Sequence, residues 1–198
     1  MPELANDLGL SKKIVNVKAS GIRIFDNKVS TIPGIIKLTL GEPDMNTPEH
    51  IKQAAIKSIA DNDSHYAPQK GKLELRKAIS KYLKKATGID YDPETEIVVT
   101  VGATEAINAT LYAITNPGDK IAIPTPVFSL YWPVATLADA DYILMNTAKD
   151  GFKLTPQKLK ETIKENPTIK AVILNYPTNP TGVEYSENEI RALAKVIE

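Results

Sequence analysis

Two short strings in this sequence carry residues that could hold a small anionic ligand. The first, Gly102-Ala103-Thr104, lies between an apolar run (residues 96–101) and a segment with helical periodicity. Small residues let a ligand approach the backbone, a helix N-terminus offers unpaired N–H groups and a positive dipole end, and Thr104 adds a hydroxyl. The string therefore predicts a phosphate seat, although a tight turn that binds nothing would use the same residues.

The second string runs from Asn175 to Gly182 and reads NYPTNPTG. It follows the most strand-like run of the chain (169–175), and ligands of open α/β sheets bind beyond the carboxyl ends of the strands. Two prolines stiffen this turn, so Asn179 would be presented on a backbone with little freedom. The Asn179–Pro180 bond is also a candidate for the cis isomer.

The elements that must position these strings alternate regularly between strand and helix. Apolar runs at 96–101, 120–124, 141–146 and 169–175 predict buried strands, with helical segments between them. Such alternation is typical of a largely parallel sheet covered on both faces. Residues 1–36 have weak periodicity and predict an arm with a short helix.

Several residue types predict where the helices begin and end. Thr47 and Thr155 are each followed by proline, which favours an N-cap with proline at the first helical position. Ser186-x-x-Glu189 fits a capping box, and Gly88 fits the glycine that ends a helix.

Composition narrows the classes of function. Lys+Arg and Asp+Glu both number 24, so the charge balance predicts no nucleic-acid partner. There is no cysteine, and His50 and His65 lie far apart, so no metal site is expected. The first residues lack an apolar signal region and no stretch is long enough to span a membrane, so a cytoplasmic location is expected.

Three strings in order, LTLGEPDMNTP, VGATEAI and YPTNPTGV, resemble the class I/II aminotransferases, which are pyridoxal-phosphate (PLP) enzymes of fold type I. The resemblance extends from about Ser20 to the last residue. SGIRIF, GKLELRKAI and DGFKLT look most like the N-acetyl-LL-diaminopimelate aminotransferase branch, whose skeleton the aspartate and aromatic aminotransferases share. The resemblance implies a three-layer α/β/α large domain with a mainly parallel mixed sheet. Residues 1–45 would form an N-terminal arm and small-domain segment, and residues 46–198 the first part of a truncated PLP-binding large domain.

The resemblance also assigns roles to individual residues. It implies that the phosphate of pyridoxal 5'-phosphate lies on the Gly102-Ala103-Thr104 loop. It implies that Phe128 stacks on the pyridine ring and that Asn179 makes a hydrogen bond to the phenolic oxygen. It further implies that Gly41 leaves room for the substrate carboxylate, and that Tyr66 contacts the phosphate of the partner subunit's cofactor in a homodimer. Without the resemblance, Phe128 would be interpreted as core and Tyr66 as a half-buried surface residue.

The implied activity is transamination between an amino acid, such as N-acetyl-LL-diaminopimelate or aspartate, and a 2-oxo acid in amino-acid biosynthesis. Three residues that such an enzyme needs would lie beyond Glu198: the catalytic lysine that forms the Schiff base, the aspartate that pairs with the pyridine nitrogen, and the substrate-binding arginine. The catalytic lysine of the family follows a serine, whereas neither Lys170 nor Lys195 does. This chain alone is therefore expected to be inactive and, with an exposed sheet edge, to associate. Alternatives are a C–S lyase or aminocyclopropane-carboxylate synthase reaction on the same fold, or a non-catalytic fragment that serves as a binding module.

Overall fold

The computed structural model of this chain describes residues 9–17 and 21–198. The described residues form two compact units, which we call the sheet unit and the helical unit. The sheet unit combines the described part of Met1–Gly21 with Ala103–Glu198, and the helical unit is Ile22–Gly102. The domain boundary predicted after residue 45 refers to the domains of a longer protein and stays a prediction.

Helices and strands alternate through the second half of the chain. In chain order the elements are α1 (Lys12–Asn16), α2 (Gly21–Val29), α3 (Glu49–Ala60), α4 (Leu73–Thr87), α5 (Gly102–Ile114), β1 (Lys120–Thr125), α6 (Tyr131–Leu137), β2 (Asp141–Asn146), a 3₁₀ turn (Ala148–Asp150), α7 (Pro156–Glu165), β3 (Ile169–Val172) and α8 (Glu187–Ile197). The arm predicted over residues 1–36 contains α1 and α2 in its described part.

The three strands form one parallel sheet in the order β2-β1-β3. Predicted strands at 120–124 and 141–146 are confirmed, and the predicted strand at 169–175 is present but shorter. Because both pairings are parallel, the carboxyl ends of the three strands lie at one edge of the sheet. The second string of the sequence follows β3 at this edge.

Both faces of the sheet are covered by helices, which gives the predicted three layers. Successive side chains of a strand point to opposite faces. Ile121 and Ile123 belong to one buried cluster and Ala122 to the other. The first cluster includes Leu111 of α5 and Val134 and Ala135 of α6, and the second includes Met145 of β2, Leu159 of α7 and Leu193 of α8.

Local capping signals in the sequence are confirmed at three helix ends. The Ser186 hydroxyl accepts from the Glu189 backbone N–H, and the Glu189 carboxylate accepts from the Ser186 N–H, which completes the capping box of α8. The Thr155 side chain accepts from Lys158 N at the start of α7. Gly88 ends α4 with a φ of 79°, a left-handed conformation that glycine adopts readily.

The cap predicted at Thr47 is wrong. Helix α3 begins at Glu49, and Pro48 occupies the N-cap position with φ −53° and ψ 141°. The extended ψ of Pro48 keeps it outside the helix, so Thr47 lies one residue too early to cap it. None of the residues of α3 is buried, and its predicted apolar residues Ile51 and Ile59 are exposed.

The strand predicted at 96–101 is also wrong for the described structure, which has no strand there. A strand needs a neighbour that continues its ladder of hydrogen bonds. Val99 N donates to the Lys70 carbonyl at 3.0 Å, and Lys70 lies in a turn, so the pairing does not continue. Ile97 is buried, whereas Val98 and Val101 are exposed.

Among the residues that the structure describes, no helix has both the length and the apolar character needed to cross a membrane.

Candidate cofactor site

The predicted phosphate seat lies at the N-terminus of α5, a helix of 13 residues. Gly102 has a φ of 82°, and its N–H donates to the Thr100 carbonyl at 2.9 Å. The Thr100 hydroxyl donates back to the Gly102 carbonyl at 3.0 Å, which fixes the turn into the helix. The positive φ, rather than a lack of space, favours glycine here, because a Cβ at this position would meet nothing within 4 Å.

Ala103 and Thr104 follow in the first turn of α5, and both are exposed. N–H groups in the first turn have no acceptor within a helix, and the positive end of the helix dipole lies there. The Thr104 hydroxyl has no hydrogen-bond partner among the described residues, whereas its carbonyl accepts from the Asn108 side chain at 2.8 Å. This turn can therefore donate hydrogen bonds to an anion from solvent.

Phe128 follows the carboxyl end of β1 and is 41% exposed. Its ring meets the Tyr131 ring edge to face, with centroids 6.3 Å apart and an angle of 90° between the planes. Tyr131, the first residue of α6, is buried in the core, and burial raises the pKa of its hydroxyl. The edge-to-face contact anchors Phe128 on a buried residue while much of its ring remains open to a planar ligand.

The turn after β3 is held by its own hydrogen bonds. Thr178 N donates to the Val183 carbonyl at 3.0 Å, and Gly182 N donates to the Thr178 carbonyl at 2.7 Å. The Asn179–Pro180 peptide is cis, as the sequence suggested. Asn179 is exposed, and its side-chain amide has no hydrogen-bond partner among the described residues. The turn thus presents a free amide at the carboxyl edge of the sheet.

Asn175 contributes a contact that the sequence did not reveal. Its side-chain oxygen accepts from Asn179 N at 3.2 Å, and its carbonyl accepts from the Thr178 hydroxyl at 3.0 Å. An asparagine four residues before Asn179 in a turn with two prolines was the available signal, because asparagine side chains commonly bond to nearby backbone N–H groups.

Beside this turn, a narrow crevice runs between the ends of β1 and β3 and reaches Asn175 and Thr178. Tyr176 and Tyr185 line it with ring centroids 4.0 Å apart. Tyr185 accepts a hydrogen bond from the Leu154 backbone N–H. Among the described residues the enclosed Tyr176 hydroxyl has no hydrogen-bond partner, and burial raises its pKa.

A separate apolar pocket of about 220 Å³ lies between α5, α6 and the end of β3. Ile107 and Leu111 of α5 line it, together with Tyr131 and Ile173. None of the residues predicted to bind the cofactor lines this pocket. Its lining is mostly hydrocarbon, so it lacks the donors that an anionic ligand needs.

Tyr66 and Gly41 belong to the helical unit, and each is exposed there. Tyr66 is fully exposed, which does not fit a half-buried packing residue. A Cβ on Gly41 would meet nothing within 4 Å inside this unit. Their predicted roles toward a partner's cofactor and toward the substrate carboxylate stay predictions.

The family model described as "Aminotransferase class I and II" matches residues 33–198. The probable N-acetyl-LL-diaminopimelate aminotransferase of Bacillus subtilis is 41% identical over 188 residues, which are 95% of this chain and 47% of that protein.

Solved structures agree with this result. The aspartate aminotransferase of Rhizobium meliloti superposes with a TM-score of 0.88 at 33% identity, over 95% of this chain and 48% of that one. N-Succinyldiaminopimelate aminotransferase of Mycobacterium tuberculosis gives 0.87 at 33% identity, over 94% and 48%. The fold is therefore that of the PLP-dependent aminotransferases, and the chain spans about half the length of these relatives.

Proposed function

Because the chain belongs to the class I and II aminotransferase family, we propose that it is the cofactor-holding part of a PLP-dependent aminotransferase. Members of this family are PLP-dependent. The whole protein would transfer an amino group from an amino acid to a 2-oxo acid. The observation that carries the proposal is the exposed amide of Asn179. It lies after the carboxyl end of β3, at the sheet edge where Phe128 lies after the carboxyl end of β1.

The residues present fit the cofactor in kind. PLP offers a phosphate, a phenolic oxygen and a flat aromatic ring. The chain offers a helix N-terminus with the Thr104 hydroxyl, the amide donor of Asn179, and a 41% exposed ring on Phe128. Neither the hydroxyl nor the amide has a hydrogen-bond partner in the part of the chain that the structure describes. Each group of the cofactor thus has a matching group on this chain, which an unrelated strand-to-helix turn would not provide.

When bound, the cofactor supplies an electron sink for the bonds of the substrate's α-carbon. The first turn of α5 would hold the phosphate through backbone N–H groups and the Thr104 hydroxyl. The Phe128 ring would stack on the pyridine ring of the cofactor, and the Asn179 side-chain amide would donate a hydrogen bond to the phenolic oxygen. Together these contacts would fix the orientation of the cofactor, and none of these residues would transfer a proton.

Two further roles follow from the family. The Tyr66 hydroxyl would donate a hydrogen bond to the phosphate held by a second subunit. The whole protein would then be a homodimer with shared sites. Gly41 would leave room for the substrate carboxylate. The full exposure of Tyr66 in its unit is compatible with a contact to another chain.

We propose an acyl-diaminopimelate or aspartate as the amino donor, in amino-acid biosynthesis in the cytoplasm. Support comes from the names of similar proteins, which include N-acetyl-LL-diaminopimelate, N-succinyldiaminopimelate and aspartate aminotransferases. The 198 residues alone would not transaminate, because the catalytic lysine is expected in the part of the relatives that this chain does not match.

Binding of 4'-deoxypyridoxine 5'-phosphate to the 198-residue chain tests the proposal. This analogue lacks the aldehyde, so it cannot react with surface lysines and reports only non-covalent contacts. We expect calorimetry to show binding that is at least about tenfold tighter than for the analogue without its phosphate, a difference of about 1.4 kcal/mol. Equal affinity for the two analogues, or no binding of either, would contradict the proposal.

A further inference from the structure

The turn after β3 has few backbone donors with which to hold Asn179. Pro177 and Pro180 have no N–H group. Thr178 N and Gly182 N are bonded to the carbonyls of Val183 and Thr178. The N–H of Asn179 itself donates to the side-chain oxygen of Asn175 at 3.2 Å.

Asn175 also ties the turn through its backbone. Its carbonyl accepts from the Thr178 hydroxyl at 3.0 Å, so one residue contacts both Thr178 and Asn179. Asn175 is half-buried beside the crevice at the sheet edge, whereas Asn179 is exposed. An anchored residue therefore holds an exposed one whose own side chain has no partner among the described residues.

We propose that Asn175 is a positioning residue for the cofactor: it fixes the backbone of Asn179 so that the Asn179 amide meets the phenolic oxygen. This inference rests on the proposed function. A hydrogen bond depends steeply on its angle, so a turn that lets Asn179 rotate weakens that bond while the phosphate and ring contacts remain. The effect of Asn175 is thus expected only for ligands that carry the phenolic oxygen.

The test compares two ligands on the 198-residue chain. One is 4'-deoxypyridoxine 5'-phosphate, and the other is its counterpart with hydrogen in place of the 3-hydroxyl. Wild-type chain should bind the hydroxyl-bearing ligand about tenfold more tightly, since hydrogen bonds to charged groups are the stronger ones. Asn175→Leu, which keeps the size but removes the accepting oxygen, should reduce this ratio to about threefold, in line with partial loss of one bond.

A double-variant comparison separates positioning from general damage. Asn179→Ala should bring the ratio to about one, and adding Asn175→Leu to Asn179→Ala should leave it there, because Asn175 acts through Asn179. Asn175→Asp keeps the accepting oxygen and should retain a ratio close to wild type, even if Asn175→Leu fails to fold.

The matched control is Asn146→Leu. The Asn146 side-chain oxygen accepts from Ala148 N at 2.9 Å at the end of β2, so this variant removes an equivalent bond that leads to no proposed cofactor residue. Its ratio should equal that of wild type. A wild-type ratio in Asn175→Leu, or a ratio in Asn175→Asp as low as in Asn179→Ala, would overturn the inference. Failure of wild-type chain to bind either ligand would instead refute the proposed function.

Discussion

Replacing Gly71 with alanine is expected to disturb the backbone that leads into α5. Gly71 has a φ of 89°, and a Cβ at this position would lie 2.7 Å from the Val99 Cβ and 2.7 Å from its Cγ2. Val99 is also tied to this loop by the bond from its N–H to the Lys70 carbonyl, at 3.0 Å. The added methyl group must therefore push Val99 away or move the loop.

Two costs add at Gly71, and Gly88 isolates one of them. The left-handed conformation costs an alanine roughly 1–2 kcal/mol, and overpacking costs a further 1–3 kcal/mol. Gly71→Ala should therefore lower the free energy of unfolding by about 2–5 kcal/mol. Gly88 has a similar φ of 79° with nothing within 4 Å of a Cβ, so Gly88→Ala should cost only about 1–2 kcal/mol.

Urea unfolding followed by far-UV circular dichroism measures both costs. Native-state hydrogen exchange adds a local readout. The protection of the Val99 amide should fall in Gly71→Ala. In Gly88→Ala it should change only as much as the global stability does. Equal losses in the two variants, or full protection of Val99 in Gly71→Ala, would refute the reasoning, because the contact with Val99 would then have no energetic consequence.

The remaining predictions concern the crevice and the cap of α8. Tyr176→Phe should raise the free energy of unfolding by about 1 kcal/mol, because it removes an enclosed hydroxyl that has no partner among the described residues. Tyr185→Phe should lower the free energy of unfolding by about 2 kcal/mol, because it leaves the buried Leu154 N–H unpaired. Thermal unfolding of both variants checks the opposite signs, and a gain for Tyr185→Phe would contradict them. Hydrogen bonds from the Ser186 backbone, followed by those from Lys153 and the Ser186 hydroxyl, lower the pKa of Glu189 from 4.5 to about 2. The stability that this carboxylate contributes should thus be complete above pH 4.5 and be lost as the pH falls toward 2, and an acid titration of Glu189→Gln with an unchanged slope would contradict this.

Most features decided by neighbouring residues could be predicted from the sequence, with the cap at Thr47 as the exception. The apolar runs at 120–124 and 141–146 form strands, and Ser186 with Glu189 forms a capping box, because these patterns act over a few residues. The run at 96–101 is equally apolar but forms no strand among the described residues. Its local pattern shows only that it could pair, whereas pairing requires a second strand from elsewhere in the chain.

The candidate site shows the same division. The motif located Asn179 in the turn after the strand that became β3, and the structure exposes Asn179 there. The contact from the Asn175 side chain was not predicted, because the asparagine signal alone does not give the path of a turn that has two prolines. Phe128 would have been assigned to the core on composition alone, and its 41% exposure follows from its position after the last residue of β1.

The central claim is that this chain holds PLP at the N-terminus of α5 and at Asn179. The most direct measurement is an NMR titration of the isotope-labelled chain with 4'-deoxypyridoxine 5'-phosphate. The account predicts saturable shifts of the Ala103 and Thr104 backbone amides and of the Asn179 side-chain amide, with the same dissociation constant. The account would be contradicted if these three amides did not shift, for example if only Ile107 and its neighbours in the apolar pocket did.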